Sequence, residues 1–179
     1  ATSPYRIYNA TQLQDMSTHG LTDNYFKLES DIDCSAISNF SPIGPSYSSY
    51  FTGNFDGDGH TISDLTISGN NKFAGLFGYY KPANKEYSLK NVTLKNPNIT
   101  TSTVSAPRLG ALCGFMYDAD LFKLENCHVI GGTINYQGSS TAACVGGLVG
   151  IINNGITGYV FSVLGCSADA SVTCASTIS

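Results

Sequence analysis

The stretch of sequence that decides the fold is "AGLFGY", Ala74–Tyr79, because two variants of it follow further along the chain. "GALCGF" begins at Gly110 and "GGLVGI" begins at Gly146, so the pattern small-x-Leu-x-Gly recurs with starts that are 36 residues apart. A motif that returns twice at one interval indicates a repeat architecture, in which each repeat is a structural unit stacked on its neighbour.

A second pattern lies between these motifs and consists of apolar residues with spacing three and then two. Its four sets are Ile62, Leu65 and Ile67; Leu89, Val92 and Leu94; Leu124, Cys127 and Val129; Val163, Cys166 and Ala168. Each set ends in strict alternation, which predicts a strand with one buried face. A third short strand is predicted around Ile99, Ile134 and Val172. We therefore expect about three strands per repeat.

Helical periodicity occurs at one place, "ATQLQDM" near Thr11, where a polar residue precedes an amphipathic turn. Together with the repeats and the glycines between strands, this pattern predicts an all-β chain folded as a parallel β-solenoid with a short N-terminal capping helix. A β-sandwich is the alternative, but it gives no reason for a fixed 36-residue recurrence. We expect one domain over residues 1–179, with 1–50 as the N-terminal cap and entry strands and 51–179 as the coils.

A polar residue stands just before the middle member of most apolar sets. These positions are Asp64, Asn91 and Asn126, followed by Gly165 in the last repeat. In stacked coils such side chains lie above one another at a turn, where asparagine accepts a left-handed conformation and hydrogen-bonds its neighbour. The sequence therefore predicts an asparagine ladder of Asp64, Asn91 and Asn126.

The stretch "FDGDGHTI", Phe55–Ile62, combines turn residues with groups that could carry chemistry. We predict a structural turn, because the glycines permit positive φ and the aspartates can cap backbone amides. Its members are Asp56, Gly57, Asp58, Gly59 and His60. Calcium is the alternative ligand, although two carboxylates fall short of the six to eight oxygens that calcium takes. A polysaccharide hydrolase or lyase would need a second carboxyl across a groove, such as Asp31, Asp33 or Asp118. We expect no metal and no cofactor.

Six cysteines are distributed along the chain without Cys-x-x-Cys spacing, and with three histidines they give little support to a zinc site. Cys127 and Cys166 occupy the position of Leu65 and Val92, which predicts small apolar core residues. Cys144 and Cys174 are the better disulfide candidates, because a bridge there would limit fraying near the end of the last coils.

Charge and composition exclude several functions. The net charge of −4, with nine scattered Lys and Arg residues, gives no electrostatic footprint for nucleic acid. No apolar run approaches the roughly 20 residues that span a bilayer, and "ATSPYRIYNA" at the start does not resemble a signal peptide. A charged fraction of 12% is about half the usual share and is typical of extracellular surfaces.

Two residue classes point to surface functions. Asn-x-Ser/Thr sequons make four asparagines candidates for glycosylation: Asn9, Asn39, Asn91 and Asn98. Tyrosines in loops and at strand ends could stack on sugar rings or pack against a protein partner. The wider set includes Tyr47, Tyr50 and Tyr159, and the candidate ligand contacts are Tyr79, Tyr80 and Tyr117.

The ordered run of motifs resembles a known family. Small-x-Leu-x-Gly followed by "LKNVTL" and "LENCHV", and preceded by "YFKLESDID", "SPIG" and "FTGNFDGDGHTISDLTI", is similar to the GLUG-motif repeat proteins of bacterial cell surfaces, which also occur beside immunoglobulin-A peptidase domains. The resemblance covers about Tyr25 to Val172. It implies a right-handed β-helix in adhesin-like surface proteins, with no established active site to carry over.

These observations together predict a non-catalytic, extracellular structural or adhesive module of a cell-surface or filament-forming glycoprotein. A solenoid end without a cap exposes strand edges that template another copy, so head-to-tail self-association or continuation into a larger parent chain is expected. A glycan or a host surface protein is the expected partner, with neither nucleic-acid binding nor membrane insertion. A polysaccharide-cleaving β-helix enzyme is the alternative.

Overall fold

The structure is a computed structural model that describes residues 3–19, 21–83, 87–102, 105–117, 123–153 and 162–174. Within these residues one α-helix accompanies a set of parallel β-sheets, so the predicted all-β class is confirmed. Asp118 and Tyr159, which the sequence suggested as an enzyme carboxyl and a surface tyrosine, lie outside the described residues.

In chain order the elements are β1 (Tyr5–Ile7), α1 (Ala10–His19), β2 (Tyr25–Leu28), β3 (Ile32–Asp33), β4 (Asn54–Asp56), β5 (Thr61–Ser63), β6 (Thr66–Ile67), β7 (Phe73–Ala74), β8 (Phe77–Tyr80), β9 (Ser88–Lys90), β10 (Thr93–Lys95), β11 (Asn98–Thr101), β12 (Arg108–Gly110), β13 (Cys113–Tyr117), β14 (Lys123–Glu125), β15 (His128–Tyr136), β16 (Cys144–Gly146), β17 (Val149–Asn153), β18 (Ser162–Leu164) and β19 (Ser167–Cys174).

These strands form four sheets. Sheet A has the order β1-β2-β4-β9-β14-β18, and sheet B has the order β3-β5-β10-β15-β11-β6 with β19 also paired to β15. Sheet C has the order β16-β12-β7, and sheet D the order β17-β13-β8. Every pair of these strands is parallel. Parallel neighbours require a long connection between them, and here that connection is a passage through the other sheets.

The chain therefore returns to sheet A at intervals, and we call each passage a level. Levels 1 to 5 begin at Tyr25, Asn54, Ser88, Lys123 and Ser162, the first residues of β2, β4, β9, β14 and β18. In-register pairing is already present in level 1, where Phe26 pairs with Phe55 and Ile32 with Ile62. Equivalent apolar side chains consequently stack in columns. Two of these columns are Phe55, Leu89, Leu124 and Val163, and Ile67, Ile99, Ile134 and Val172.

The sequence pattern treats Ile62, the first residue of the first apolar set, as equivalent to Leu89, but in the structure Ile62 is equivalent to Leu94, which lies in the next sheet. Ile62 pairs with Leu94 in sheet B, whereas Leu89 pairs with Phe55 in sheet A. The reason is the turn after Phe55, which is two residues longer than the equivalent turn after Leu89. Spacing three then two occurs at both places, so spacing alone could not distinguish them.

The small-x-Leu-x-Gly motifs connect sheet C to sheet D. Phe77 pairs with Cys113, and Cys113 pairs with Val149, so this part of the motif repeats in register from level to level. Glycine is needed because the backbones approach closely: a Cβ on Gly110 would lie 2.5 Å from the backbone nitrogen of Gly150.

Helix α1 covers the first end of the stack. Leu13 and Met16 are buried in the core, as an amphipathic cap requires. The backbone N–H of Gln12 donates to Asn9 Oδ1 at 3.0 Å, and the N–H of Tyr8 donates to Gln12 Oε1 at 2.7 Å. This reciprocal cap fixes where the helix begins.

Burial changes abruptly between level 4 and level 5. Leu124 and Ile134 in level 4 are 1% and 0% exposed, whereas Val163 and Val172, in the same columns of level 5, are each 43% exposed. Among the described residues, the interior columns thus continue to an open surface at level 5, made of Val163, Val172 and the edges of β18 and β19 that pair with no further strand.

Removing side-chain volume from one column should therefore cost more in level 4 than in level 5. We expect Ile134→Ala to lower the free energy of unfolding by about 2–5 kcal/mol, because it leaves a cavity in a fully buried site. Val172→Ala is the matched control and should cost less than about 1 kcal/mol. Urea denaturation in dilute solution measures both, and equal losses would contradict the described burial.

Candidate functional site

Two corners repeat in most levels and place Asn, Asp or Gly in a left-handed conformation, the first in levels 2 to 5 and the second in levels 2 to 4. The corner between sheets A and B holds Asp58, Asn91, Asn126 and Gly165, with φ of 51°, 54°, 50° and 63°. The next corner, inside sheet B, holds Asp64, Asn96 and Gly131, with φ of 56°, 51° and 66°. Other side chains adopt this conformation at a cost of about 1–2 kcal/mol, so the turn chemistry selects these residue types.

Side-chain amides link the levels at the first corner. Asn91 Nδ2 donates to Asp56 Oδ1 at 2.9 Å, and Asn126 Nδ2 donates to Asn91 Oδ1 at 3.3 Å. The ladder ends at Gly165, where a Cβ would lie 2.5 Å from Asn126 Oδ1. Asn126 already fills the space that a further side chain would occupy.

The structure brings Asn91 and Asn126 together but does not bring Asp64 to them. Ser63 pairs with Lys95 of the next level, so Asp64 lies at the second corner, at the position equivalent to Asn96. The residue that meets Asn91 from the preceding level is Asp56. This correction has the same cause as the shifted apolar set, namely the longer turn after Phe55.

Asp56 is the anchor of the ladder and has both oxygens engaged. Its side chain is 8% exposed, Lys90 Nζ lies 3.1 Å from Oδ2, and Tyr25 Oη donates to Oδ2 at 3.2 Å. The N–H of Asp58 donates to Oδ1 at 2.9 Å. Burial raises the pKa of this carboxyl, but the bonds from Asn91, Asp58 and Lys90 outweigh burial and leave the pKa below its usual value.

The neighbouring ionisable groups respond to the same charges. The hydrogen bond to Asp56 raises the pKa of Lys90, and burial followed by the charge of Asp56 raises the pKa of Tyr25. Lys27 Nζ lies 2.8 Å from Asp58 Oδ2, and this bond raises the pKa of Lys27. Each aspartate of the turn is thus paired with a lysine from another level.

The remaining turn residue, His60, contacts the level before it. His60 Nδ1 lies 3.3 Å from Asp31 Oδ1, which also accepts a hydrogen bond from the N–H of Thr61 at 2.9 Å. The Thr61 N–H first, and His60 second, lower the pKa of Asp31. Asp33 is used locally, because its Oδ1 accepts a bond from the N–H of Ser35.

A shallow polar cleft of about 390 Å³ lies over the first corner. Its lining is Asp58, Gly59, Asn91, Thr93, Asn126 and His128. A glycosidase acid needs a carboxyl whose pKa is raised, whereas the pKa of Asp56 is lowered and Asp58 is paired with Lys27. Within the described residues, no group of three or more His, Cys, Asp or Glu side chains is arranged to hold a metal ion. The arrangement suits a reinforced turn.

The candidate glycosylation sites differ in how accessible they are. Asn9, Asn39 and Asn98 are exposed, although Asn9 caps α1 and Asn39 Oδ1 accepts a bond from the N–H of Ser68. Asn91 is half-buried and its amide belongs to the ladder. Glycosylation of Asn91 would require breaking its bond to Asp56.

The six cysteines are all free in the structure, so the predicted disulfide between Cys144 and Cys174 is not formed. Cys144 pairs with Arg108 in sheet C, whereas Cys174 pairs with Tyr136 in sheet B. Cys127 is fully buried, and burial raises the pKa of its thiol to about 12.

Cys127 and Cys166 stack in one column, Cys127 fully buried in the core and Cys166 half-buried against it. The N–H of Cys127 donates to Cys166 Sγ at 3.5 Å, which shows that the two residues are neighbours in successive levels. They continue the column that Val92 occupies in level 3.

The candidate tyrosines are not equally available to a ligand. Tyr79 and Tyr80 are buried, at 5% and 0% exposure, whereas Tyr117 is half-buried. Tyr80 packs in the interior with Phe51 and Phe77. As a consequence, Tyr79 and Tyr80 cannot contact a ligand in this structure.

An aromatic cluster that the sequence patterns missed lies outside the interior core. Tyr79, Phe73 and Phe115 form it, with Tyr50 and Tyr117 packed at its edge. Tyr47 lies over the cluster, 4.7 Å from Phe73 between ring centroids, and is 56% exposed. Its signal in the sequence is the in-register pair Tyr79 and Phe115 at outward positions, with tyrosines in the preceding loop.

Comparisons with known proteins show sequence similarity to one curated protein but do not assign the chain to a family. No known protein-family profile matches the chain. An alignment over 160 residues, which covers 84% of this chain, shows 34% identity to halomucin of Haloquadratum walsbyi (strain DSM 16790 / HBSQ001). The chain spans only 2% of the length of halomucin. Membership of the GLUG-motif family stays a prediction.

Among solved structures, a candidate immunoglobulin A1 protease from Bacteroides ovatus is similar in fold. The TM-score is 0.51, and the match covers 95% of this chain and 77% of that chain at 16% sequence identity. At this identity the likeness concerns the fold alone. No helix within the described part of the chain has the length and hydrophobicity that crossing a bilayer requires.

The pairing of Asp56 predicts a loss of stability in acid. The pKa of Asp56 is lower in the folded protein than in the unfolded chain, so its carboxylate contributes fully to the free energy of unfolding above about pH 5. This contribution is lost as the pH falls through the ordinary pKa of about 3.9 and then through the lower pKa of the folded state. We expect Asp56→Asn to cost about 1–3 kcal/mol at pH 7 and to show a smaller further loss at pH 3 than the wild type.

Urea denaturation followed by circular dichroism at pH 7, 5 and 3 measures this effect. Asp169→Asn is the control, because Asp169 is exposed and has no ion pair among the described residues. An acid loss in Asp56→Asn as large as that of the wild type would contradict the assigned role.

Proposed function

We propose that the chain is a right-handed parallel β-solenoid domain, with about three strands per coil, that serves as a non-catalytic structural and adhesive module of an extracellular cell-surface protein. Parallel pairing in register through five levels supports the solenoid, and the resemblance to GLUG-motif repeats supports its handedness. The whole of residues 1–179 acts as one domain in this proposal, with α1 as its N-terminal cap.

The observation that carries the structural role is the open surface at level 5. Val163, Leu164 and Val172 are 43%, 58% and 43% exposed, and β18 and β19 are edge strands. Parallel edge strands bearing apolar columns are complementary to another coil of the same kind. The occupant is a further coil, supplied either by more of a parent chain or by a second copy stacked head to tail.

Three observations support the surface location. The name halomucin suggests a mucin-like surface protein for the relative. Only 12% of residues are charged, which is typical of extracellular proteins. Exposed sequons at Asn9, Asn39 and Asn98 are compatible with a glycoprotein.

The enzyme alternative has no specific observation in its favour. The carboxylates nearest to a cleft, Asp56 and Asp58, are held by Lys90 and Lys27. A retaining or inverting hydrolase needs one protonated and one free carboxyl across the bond that is cleaved.

Light scattering over a concentration series, with negative-stain imaging, tests the structural role. We expect wild-type protein to form head-to-tail rods whose mass rises with concentration. Val172→Lys should abolish the rods by placing a charge in the open apolar column. Ile130→Lys is the matched control and should keep them, because Ile130 is 51% exposed on the outer face of sheet B.

Two outcomes would contradict parts of the proposal. A wild-type monomer at every concentration would exclude a second copy as the occupant of the open surface. Cleavage of a polysaccharide that is lost in Asp56→Asn or Asp58→Asn would replace the non-catalytic role with an enzymatic one.

A further inference from the structure

The aromatic cluster beside sheets C and D has a buried floor of Phe73, Tyr79 and Phe115 and a more accessible rim of Tyr47, Tyr50 and Tyr117, and we call the six residues the aromatic face. Its floor is a row of stacked rings. Tyr79 and Phe115 are 5.0 Å apart between centroids with an interplanar angle of 13°, and Phe73 and Phe115 are 5.5 Å apart at 28°. The three rings of this floor pack against one another and are buried.

The tyrosines at the rim of this floor are accessible. Tyr47 meets the floor edge to face, at 85° to Phe73 and 78° to Tyr79, so most of its ring faces solvent. Tyr50 and Tyr117 are half-buried, each within 6.3 Å of the Tyr79 centroid. Tyr47 and Tyr50 thus offer two ring surfaces, each packed against the Tyr79 ring.

Two lysines complete the rim. Lys72 Nζ lies 5.2 Å from the centroid of Tyr47, and Lys81 Nζ lies 5.9 Å from Tyr50 and 5.5 Å from Tyr117. Neither ammonium group has a carboxylate partner among the described residues, in contrast to Lys27 and Lys90. The rings hold the ammonium groups in place without neutralising them.

Among the described residues, the chain segments that form the aromatic face carry lysines and no carboxylate. Net charge is −4, yet residues 34–55, 65–85, 87–117 and 126–153 contain no aspartate or glutamate. These segments supply all strands of sheets C and D and the loop that carries Tyr47 and Tyr50. The described surface on this side is therefore aromatic, polar and cationic.

We infer that the aromatic face binds a carbohydrate that carries carboxylate groups. The C–H faces of pyranose rings pack on tyrosine rings, while the carboxylates form charge-assisted hydrogen bonds with Lys72 and Lys81. Two ring surfaces flanked by one lysine each match a short acidic oligosaccharide. This inference rests on the adhesive part of the proposed function and names its ligand class.

Single-stranded nucleic acid also combines stacking with negative charge, but the aromatic face suits it less. Binding along a polyanion uses a cationic groove that follows several phosphates. Within the described residues, Lys72 and Lys81 are the two lysines that flank the rings, and the chain as a whole is acidic.

Isothermal titration calorimetry with matched acidic and neutral sugars tests the inference. The probes are tetragalacturonate and its neutral methyl ester, a hyaluronan tetrasaccharide, sialyllactose and oligothymidylate. We expect at least one acidic sugar to bind, with the methyl ester of tetragalacturonate about tenfold weaker than the acid if that sugar is the one bound. Binding should weaken as salt is raised from 50 to 500 mM, since the contacts of the lysines are screened.

Variants assign the binding to the aromatic face. Lys72→Gln combined with Lys81→Gln should weaken the acidic sugar about tenfold and leave neutral-sugar binding unchanged. Tyr47→Ala should weaken the binding of both the acidic and the neutral sugar. Tyr8→Ala is the matched control, because Tyr8 is 52% exposed and stands before α1, away from the aromatic face. The double variant of Lys72 and Lys81 removes two charges from the rim. It therefore tests acidic-sugar binding even if Tyr47→Ala fails to fold.

Three results would overturn the inference: no binding of any acidic sugar, equal affinity for acid and methyl ester, or tighter binding of oligothymidylate. Rods without sugar binding would refute this ligand class and leave the structural role intact. Cleavage of the bound sugar would instead refute the proposed non-catalytic function.

Discussion

In-register pairing between equivalent residues of successive levels is the constraint on which the rest of the structure depends. Phe55, Leu89 and Leu124 share a column because their strands pair without a shift, and the same holds for Ile67, Ile99 and Ile134. Backbone N–H and C=O groups of one level are satisfied by the next, as the bond from the N–H of Asn91 to the carbonyl of Glu125 shows. Each level consequently supplies both the hydrogen-bond partners and the core contacts of its neighbour.

Stacking in register also determines what the corners must be. The corner between sheets A and B is left-handed in levels 2 to 5, and Asp58, Asn91, Asn126 and Gly165 are residue types that accept this conformation. Side chains at one corner are forced close together, which is favourable for amides and unfavourable for like charges. The column therefore begins with one carboxylate, Asp56, continues with asparagines and ends with glycine.

The sequence predicted the repeat, the strands and the turn-forming residues, because these depend on local spacing and residue type. It could not predict the partner of Asn91, because the apolar sets that begin at Ile62 and Leu89 have the same spacing and this equivalence pointed to Asp64 instead of Asp56. The register of hydrogen bonds distinguishes them. Pairing of Lys27 with Asp58 likewise joins two levels that no short pattern connects.

The tyrosines show the same limit on the outer side of the sheets. Tyr79 and Tyr80 are adjacent, and alternation along a strand sends them to opposite sides. Tyr80 enters the interior, whereas Tyr79 is covered by Tyr47 and Tyr50 from a loop about 30 residues earlier in the chain. Both tyrosines are therefore buried, Tyr80 in the core and Tyr79 beneath the loop. The more accessible aromatic surface is formed by the loop residues that cover Tyr79.

Native-state hydrogen exchange by NMR, in dilute protein, tests most directly whether each level is stabilised by the next. The account predicts the slowest exchange in level 3, at Leu89, Leu94 and Ile99, which have paired strands on both sides. Exchange should be fastest in level 5, at Ala168 and Val172, which have a paired strand on one side. Equal protection of levels 3 and 5 would contradict the account, because stability would then not depend on stacking.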